Sequence, residues 1–204
     1  MPLPADRGYA VIARAELPAD TVALARGLVG KRVVRQTPDG VLSGRIVETE
    51  AYPPGDAAGH GFRGETPGNR VLFLERGYAH VYVAYGVSRM LNVSADVAGL
   101  GAGVLIRALE PLEGIETMQR NRGVASLRDL ARGPGRLAQA LEIDLGLDGV
   151  DLCHEGPVWL AHDGGAAPEI GVSARIGITK EAERPLRFYA RGSPFVSGPR
   201  ALNR

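Results

Sequence analysis

The sequence predicts an α+β fold: one domain with a curved, mainly antiparallel sheet, a protruding β-hairpin and flanking helices. Three observations carry that expectation. Segments of period-two alternation recur along the chain, successive ones are separated by tight-turn sequences, and helical segments are mixed in without a regular strand–helix–strand alternation. With 204 residues, 45% of them apolar, the chain suits one large domain or two small ones and can bury a real core.

Residues 18–29 read as a short helix with Pro18 near its start, Val22, Ala25 and Leu28 as an apolar stripe and Gly30 as a stop. A hairpin follows, with residues 32–36 as one arm, Thr37-Pro38-Asp39-Gly40 as the turn and residues 41–52 as the other arm. Residues 53–70 form a Gly- and Pro-rich loop, long enough to point to function or close packing. Strands are expected at 71–74, 78–85, 90–94 and 104–109, with a turn at 86–89. Helices are expected near 111–121 and 126–143, the second split at Gly133-Pro134-Gly135. Residues 144–170 are rich in turn formers, and strands near 172–178 and 186–191 close the chain.

Several function classes are excluded or disfavoured. No run of about 18 apolar residues exists, so no membrane span is expected, and the first residues lack a signal-peptide core. Cys153 is the only cysteine, which excludes an internal disulfide and cysteine-based zinc or iron–sulfur sites, and suits a reducing intracellular compartment. His60, His80, His154 and His162 have no ligand spacing, and the glycines at 99–103 fit neither a P-loop nor a dinucleotide fingerprint. Net charge is +1 and says little, but the cations are almost all arginine, Lys31 and Lys180 being the exceptions. Arginine suits bidentate phosphate contacts; a GC-rich coding bias would give the same skew. From Arg175 onward, Arg175, Lys180, Arg184, Arg187, Arg191, Arg200 and Arg204 face only Glu181 and Glu183, so a basic C-terminal face is plausible.

The most informative stretch is Arg45-Ile46-Val47-Glu48-Thr49-Glu50-Ala51-Tyr52. On a strand, Glu48, Glu50 and Tyr52 share one face and Val47, Thr49 and Ala51 the other. A carboxylate beside an aromatic wall can activate water against a flat, stacked substrate. In the second such stretch, His80-Val81-Tyr82-Val83-Ala84-Tyr85-Gly86, His80 and Tyr82 share a face, while Tyr85 abuts the turn. An aromatic ring at a hairpin tip can wedge into a base stack from the minor groove; it can equally cover the end of a strand pair. His60, in the long loop, gains meaning only if Tyr52 and Tyr82 converge with it, since three rings around a slot would hold a planar, electron-poor heterocycle.

Taken together these segments resemble the alkyladenine DNA glycosylase family, also called methylpurine or 3-methyladenine DNA glycosylase of the mammalian type. The matching stretches are residues 44–52; Asp56, His60, Arg63-Gly64 and Thr66-Pro67; residues 80–86 with Asn92; residues 105–114; Gly133-Pro134, Leu137 and 139–141; and residues 185–194, in family order from about 20 to 197. The resemblance implies that Glu50 is the general base for water and that Arg107 positions it. It implies that Tyr52, His60 and Tyr82 stack on an extruded base, that Asn92 at the pocket floor crowds the 2-amino group of guanine, and that Tyr85 refills the duplex. Arg63, Thr66, Arg89, Arg136, Arg187 and Arg191 are candidates for DNA backbone contacts. The implied partner is double-stranded DNA containing damaged purines, bound by a monomer, with no cofactor and no metal. An N-alkylated purine is cationic and leaves readily. A neutral one such as hypoxanthine needs a proton, and no acid for it is identifiable in the sequence. Lys31 and Lys180 are remote in sequence from every pocket motif, so no amine-dependent lyase step is expected. The chain departs from the family at His80, where a tyrosine is often found, and at the less aromatic 87–91. It also lacks the N-terminal extension of larger relatives, so a minimal catalytic domain is expected.

Two other readings remain at this level. A carbohydrate-directed hydrolase would need carboxylates flanking a sugar from opposite sides, whereas Glu48 and Glu50 lie roughly 6.6 Å apart along one strand; Glu48 suits a structural pairing with an arginine. A non-catalytic nucleic-acid-binding module would use Glu50 only for structure.

Overall fold

A computed structural model describes residues 9–84 and 86–203. Helix α1, Thr21–Leu28, starts where the Asp20 side chain accepts a hydrogen bond from the Ala23 amide at 2.7 Å, which satisfies one of the free first-turn donors. It buries Leu24, Ala25 and Leu28. Strands β1, Arg32–Thr37, and β2, Gly40–Tyr52, form the expected hairpin. A second hairpin is made by β3, Ala79–Ala84, and β4, Ser88–Ala95, and its outer end is exposed at Val83, Val87 and Arg89. Strand β5, Ala102–Glu113, returns alongside β2. Then come α2, Ile115–Arg122, α3, Pro134–Ala140, and the short strands β6, Val158–Ala161, β7, Ile170–Ser173, and β8, Arg187–Ala190.

Among the described residues these strands make one eight-stranded, strongly curled antiparallel sheet in the order β3-β4-β5-β2-β1-β6, with β8 joining β2 and β7 joining β8. The fold is α+β, as the sequence predicts. Strand β2 is its axis. It pairs with β1 over residues 40–45 and with β8 over residues 48–50, while β5 runs along its other edge. An irregularity lies between Ile46 and Glu48, where the register with β5 shifts; such a bulge re-aims the side chains that follow it. Beyond it, Thr49 and Ala51 turn toward α1, with Thr49 Oγ1 donating to the Ala25 carbonyl at 2.8 Å. Glu48 and Glu50 turn to the opposite side.

Several expected elements are corrected. Residues 71–74 are not a strand: Arg70–Phe73 is a 3₁₀ turn. The Asn69 side chain, bonded to the Thr66 amide and the His60 and Gly64 carbonyls, commits the chain to a turn just before it. The helix expected at 111–121 begins at Ile115, because Pro111–Glu113 still belong to β5 and Gly114 makes the corner at φ +71°. A Cβ on Gly114 would lie 2.3 Å from Leu42 Cδ2, so no other residue fits this corner unstrained. Of the helix expected at 126–143, only Pro134–Ala140 is α-helical, after a 3₁₀ turn at Leu127–Asp129. Strand β6 lies inside the segment read as turns, and its four residues pair with β1.

The basic C-terminal face is corrected at two of its arginines, Arg175 and Arg187. Arg187 has no exposed surface: its Nε donates to Glu48 Oε1 at 2.7 Å, and its terminal nitrogens donate to Ser173 Oγ, the Ser197 carbonyl and Asn203 Oδ1. It therefore cannot reach a DNA phosphate. Arg175 is buried against Asp56 at 2.8 Å, Arg184 pairs with Asp56 and Glu181, and Arg191 pairs with Glu169. Arg175 and Arg187, which look like surface cations in the sequence, close the fold from inside, whereas Arg184 and the DNA-contact candidate Arg191 stay exposed beside their carboxylate partners. Glu48 is the hub of this clasp. It accepts from Arg107, from Arg187 and from both the amide and hydroxyl of Ser197, and so ties β2, β5, β8 and the C-terminal tail together.

Burial pushes the Glu48 carboxyl up, but the Arg107 and Arg187 guanidiniums and their hydrogen bonds outweigh it and hold its pKa below the ordinary glutamate value. Its contribution to stability is therefore complete above the unfolded-state value of about 4.3 and is lost as pH falls from there through the lowered folded value. Removing the carboxylate strips buried Arg187 of its ion pair and leaves Arg107 with Glu50 alone, so Glu48→Ala should destabilise the protein by about 3–5 kcal/mol. Urea denaturation checks this: an unchanged midpoint would show that the clasp contributes nothing.

Candidate active site

A cavity of about 490 Å³ opens between β3–β4, the loop 53–70 and the segment around Ile176. Its size falls within the usual range for small-molecule sites. Tyr52, His60, Tyr82, Asn92 and Arg107 all line it, so the structure brings together five of the residues proposed from sequence. The His60 and Tyr82 ring centroids are 4.0 Å apart with planes inclined at 40°. Tyr82 in turn stacks on His80, with centroids 5.4 Å apart and planes 19° apart. Asn92 is buried in the wall, where its amide donates to the His80 carbonyl at 3.3 Å.

Glu50 is fully buried directly behind this wall. Its Oε2 accepts from the Tyr52 hydroxyl at 3.0 Å and from Arg107 Nη1 at 3.1 Å, and its Oε1 accepts from the Ile176 amide at 2.7 Å. All three donors belong to residues that line the cavity. A carboxylate offers about four lone-pair sites; among the described residues three are used, and the fourth is on Oε1. Burial raises the Glu50 pKa above the ordinary value, against the opposing pull of Arg107, the Ile176 amide and Tyr52. Burial and the neighbouring Glu50 carboxylate likewise raise the Tyr52 phenol, which stays protonated as a donor. Burial works against the charge on Arg107, yet Glu50 and Glu48 outweigh it and keep that guanidinium ionised.

The loop that carries His60 is fastened at both ends. Asp56, buried, binds Arg175, whose guanidinium lies 4.6 Å over the Tyr52 ring and whose Nη1 donates to the Ala51 carbonyl. Such a desolvated cation–π contact is worth about 2 kcal/mol. Further along, Gly61 lies against the backbone of Gly101 so closely that a Cβ would fall 2.0 Å from its carbonyl oxygen. Only glycine lets the loop pass there, and that approach seats His60 beside Tyr82.

Tyr85 lies outside the described residues. Arg63, Thr66, Arg89 and Arg136 are exposed. Arg63 and Thr66 line a second cavity that adjoins the first through Gly59 and His60. Lys180 lines that cavity too, so its remoteness in sequence from the pocket motifs does not hold in space. Arg89 and Arg136 meet in a third cavity with Arg122, a residue the sequence reading missed. Nothing in its helical context distinguishes Arg122, and only the approach of Gly133-Pro134-Gly135 to the β3–β4 hairpin brings it there. Pro134 lines both this cationic cleft and the ring-walled cavity. Also missed were Ile176, whose contribution is a main-chain amide, and Asp148, which lies 3.1 Å from His80 Nδ1. Among the described residues, no helix is long and apolar enough to cross a membrane.

Comparison with known proteins identifies the family. A Mesorhizobium japonicum protein, provisionally named a 3-methyladenine DNA glycosylase, is 73% identical over 191 residues, covering 94% of this chain and 92% of its own. A Paraburkholderia phytofirmans protein with the same provisional name is 50% identical over 189 residues, covering 93% and 89%. The mouse DNA-3-methyladenine glycosylase is 46% identical over 194 residues, covering 86% of this chain and 58% of its own. Residues 15–194 match the family described as methylpurine-DNA glycosylase. The chain belongs to the methylpurine-DNA glycosylase family.

Proposed function

We propose that the protein is a DNA-repair glycosylase that extrudes damaged purines from duplex DNA and hydrolyses their N-glycosidic bond with water activated by Glu50. Family membership supports the reaction class. The observation that carries the mechanism is the carboxylate of Glu50, held by Tyr52, Arg107 and the Ile176 amide immediately behind a wall of aromatic rings.

A base stacked in duplex DNA presents its glycosidic bond to no enzyme group, so it must leave the stack at a cost of a few kcal/mol. Tyr52, His60 and Tyr82 recover part of that cost by stacking on the extruded ring, and Asn92 limits what its edge can carry. Tyr85 is assigned, on sequence, to refill the gap in the duplex. As the bond to the base lengthens, the sugar gains oxocarbenium character. The water oxygen bonds to C1′, the glycosidic electron pair leaves with the base, and Glu50 takes the water's proton through its remaining Oε1 site. Arg107 and Tyr52 hold the carboxylate in place and keep Oε2 occupied. Arg89, Arg122 and Arg136 form a cationic cleft beside the pocket that suits the DNA backbone. Arg63 and Thr66 suit it on the other side. The protein acts as a monomer inside the cell, without a cofactor and without strand cleavage.

Glu50→Gln keeps the shape and removes the base. Release of 1,N6-ethenoadenine or hypoxanthine from duplex oligonucleotides should fall by about 10²–10⁴-fold while lesion binding persists. Binding without release by the wild type would favour the non-catalytic module instead. Because the Glu50 pKa is raised, the wild-type rate should decline as pH falls through a value above the ordinary glutamate pKa of about 4.3, and a rate flat down to that value would contradict the assignment. Replacing Arg122 and Arg136 together by Gln should weaken binding and reduce the slope of log affinity against log salt by about 0.9 per lost phosphate contact; titrations between low and moderate salt read this directly. Borohydride added during turnover should trap no protein–DNA adduct, since no amine attacks C1′. A trapped adduct that disappears in Lys180→Ala would establish a lyase step.

A further inference from the structure

The residues above account for the release of cationic purines, which carry their own leaving-group activation. A neutral purine needs a proton, and one wall of the pocket holds a chain of groups running from solvent to the base. Asp148 Oδ1 accepts from the Val81 amide at 2.9 Å and lies 3.1 Å from His80 Nδ1. His80 Nε2 lies 3.4 Å from His60 Nδ1. His80 is fully buried, His60 is exposed at the pocket wall, and the Asp148 side chain keeps 28% of its surface.

The protons along this chain follow from its anchored end. An amide can only donate, so Asp148 Oδ1 is an acceptor, and His80 Nδ1 carries the proton between them. Burial lowers the pKa of both histidines, with Asp148 opposing this for His80, so the resting pair is neutral. A neutral His80 that donates from Nδ1 has a bare Nε2, and His60 must then donate from its own Nδ1. That leaves His60 Nε2 as a bare acceptor on the ring that lines the base pocket.

We propose that Asp148, His80 and His60 form a proton relay for the excision of neutral purines, with His60 the group that protonates the base and His80 and Asp148 positioning it. The inference rests on the glycosylase reading above. When His60 takes up one proton at Nε2, Nδ1 still donates to His80, and the carboxylate of Asp148 balances the charge through the chain. As the glycosidic bond breaks, that proton passes to a ring nitrogen of the departing purine. The water oxygen bonds to C1′ and its proton goes to Glu50. Solvent then removes the proton from Glu50 and returns one to His60 Nε2 from the open pocket, where His60 is exposed, while Asp148 and His80 keep its Nδ1 hydrogen in place. The groups facing His60 are His80 and Tyr82 from β3, with Lys180 and Arg63 around the adjoining cavity; the two cations favour its neutral form. Asp56, on the same loop, is already neutralised by Arg175.

Two lesion classes separate this relay from the rest of the site. Hypoxanthine release should lose rate as pH rises and the imidazolium is depleted, giving an alkaline limb that release of cationic 7-methylguanine lacks. Single-turnover release of both bases from duplex oligonucleotides, measured across pH with wild type, Asp148→Asn and His80→Phe, tests it. In both variants the hypoxanthine to 7-methylguanine rate ratio should fall by about tenfold or more, and in Asp148→Asn the alkaline limb should move to lower pH. An unchanged ratio, or a wild type that releases only the cationic base, overturns the relay and leaves the role of Glu50 standing. A wild type that releases neither base overturns the glycosylase reading itself. Imidazole ¹⁵N spectra of the wild type give a check that needs no variant to fold: both rings should carry hydrogen on Nδ1 at neutral pH, and a resting His60 with hydrogen on Nε2 overturns the relay.

Discussion

The site depends on one guanidinium lying between two buried carboxylates. Arg107 donates from Nε to Glu48 and from Nη1 to Glu50, at 2.9 and 3.1 Å. An isolated buried charge is too costly to persist, and a half-paired one is worse than none. The arrangement survives because Arg187 supplies a second cation, leaving the four side chains formally balanced. The balance is uneven in a useful way. Glu48 receives two guanidiniums and two serine donors, and its pKa falls. Glu50 receives one guanidinium, a phenol and an amide, and its pKa rises. Two identical residues, two positions apart on one strand, are thereby given different chemistry by their surroundings. The saturated one is structural, and the one with a spare lone pair and a stronger hold on protons is suited to act as a base.

That division was half legible in the sequence. Period-two alternation in β2 put Glu48, Glu50 and Tyr52 on one face, and the structure keeps them there, with Arg107 bonded to both glutamates and Tyr52 to Glu50. Alternation depends only on local geometry, so it can be read from a short window. The identity of the partners cannot. Arg187 lies 139 positions from Glu48 and Ile176 lies 126 from Glu50; no local pattern distinguishes an arginine destined for the core from one in solvent. The same blindness produced the basic C-terminal face, since charge counted along the chain takes no account of which cations are neutralised within it. The misread segments have a related cause. Val71, Leu72 and Phe73 carry strand-forming side chains, but the loop before them, tied by Asn69, holds the backbone in a turn. Tertiary context overrides propensity wherever a neighbouring constraint is stronger.

The pocket combines rigid and irregular parts. Glu50, Tyr52, Tyr82, Asn92 and Arg107 stand on strands of the curled sheet, where packing fixes their directions. His60 and Ile176 come from irregular segments, but both segments are fastened, one by Asp56–Arg175 and the close pass of Gly61, the other by the bond from Ile176 to Glu50. Pro134 separates the ring-walled cavity from the arginine cleft while lining both. The two cavities therefore share a single rigid divider, which favours coupling between them.

Strand β2 changes its left-hand neighbour from β1 to β8 at the very residues that carry the carboxylates, with β5 on its right throughout. The main chain at Glu50 is thus laddered on both edges, in the middle of the sheet and away from any fraying end. Amide hydrogens there can exchange with deuterium only through openings that dismantle most of the molecule. The Glu50 carboxylate has no private route to disorder: heat or denaturant that disarranges it has already undone the protein, so loss of the site and global melting should trace a single curve.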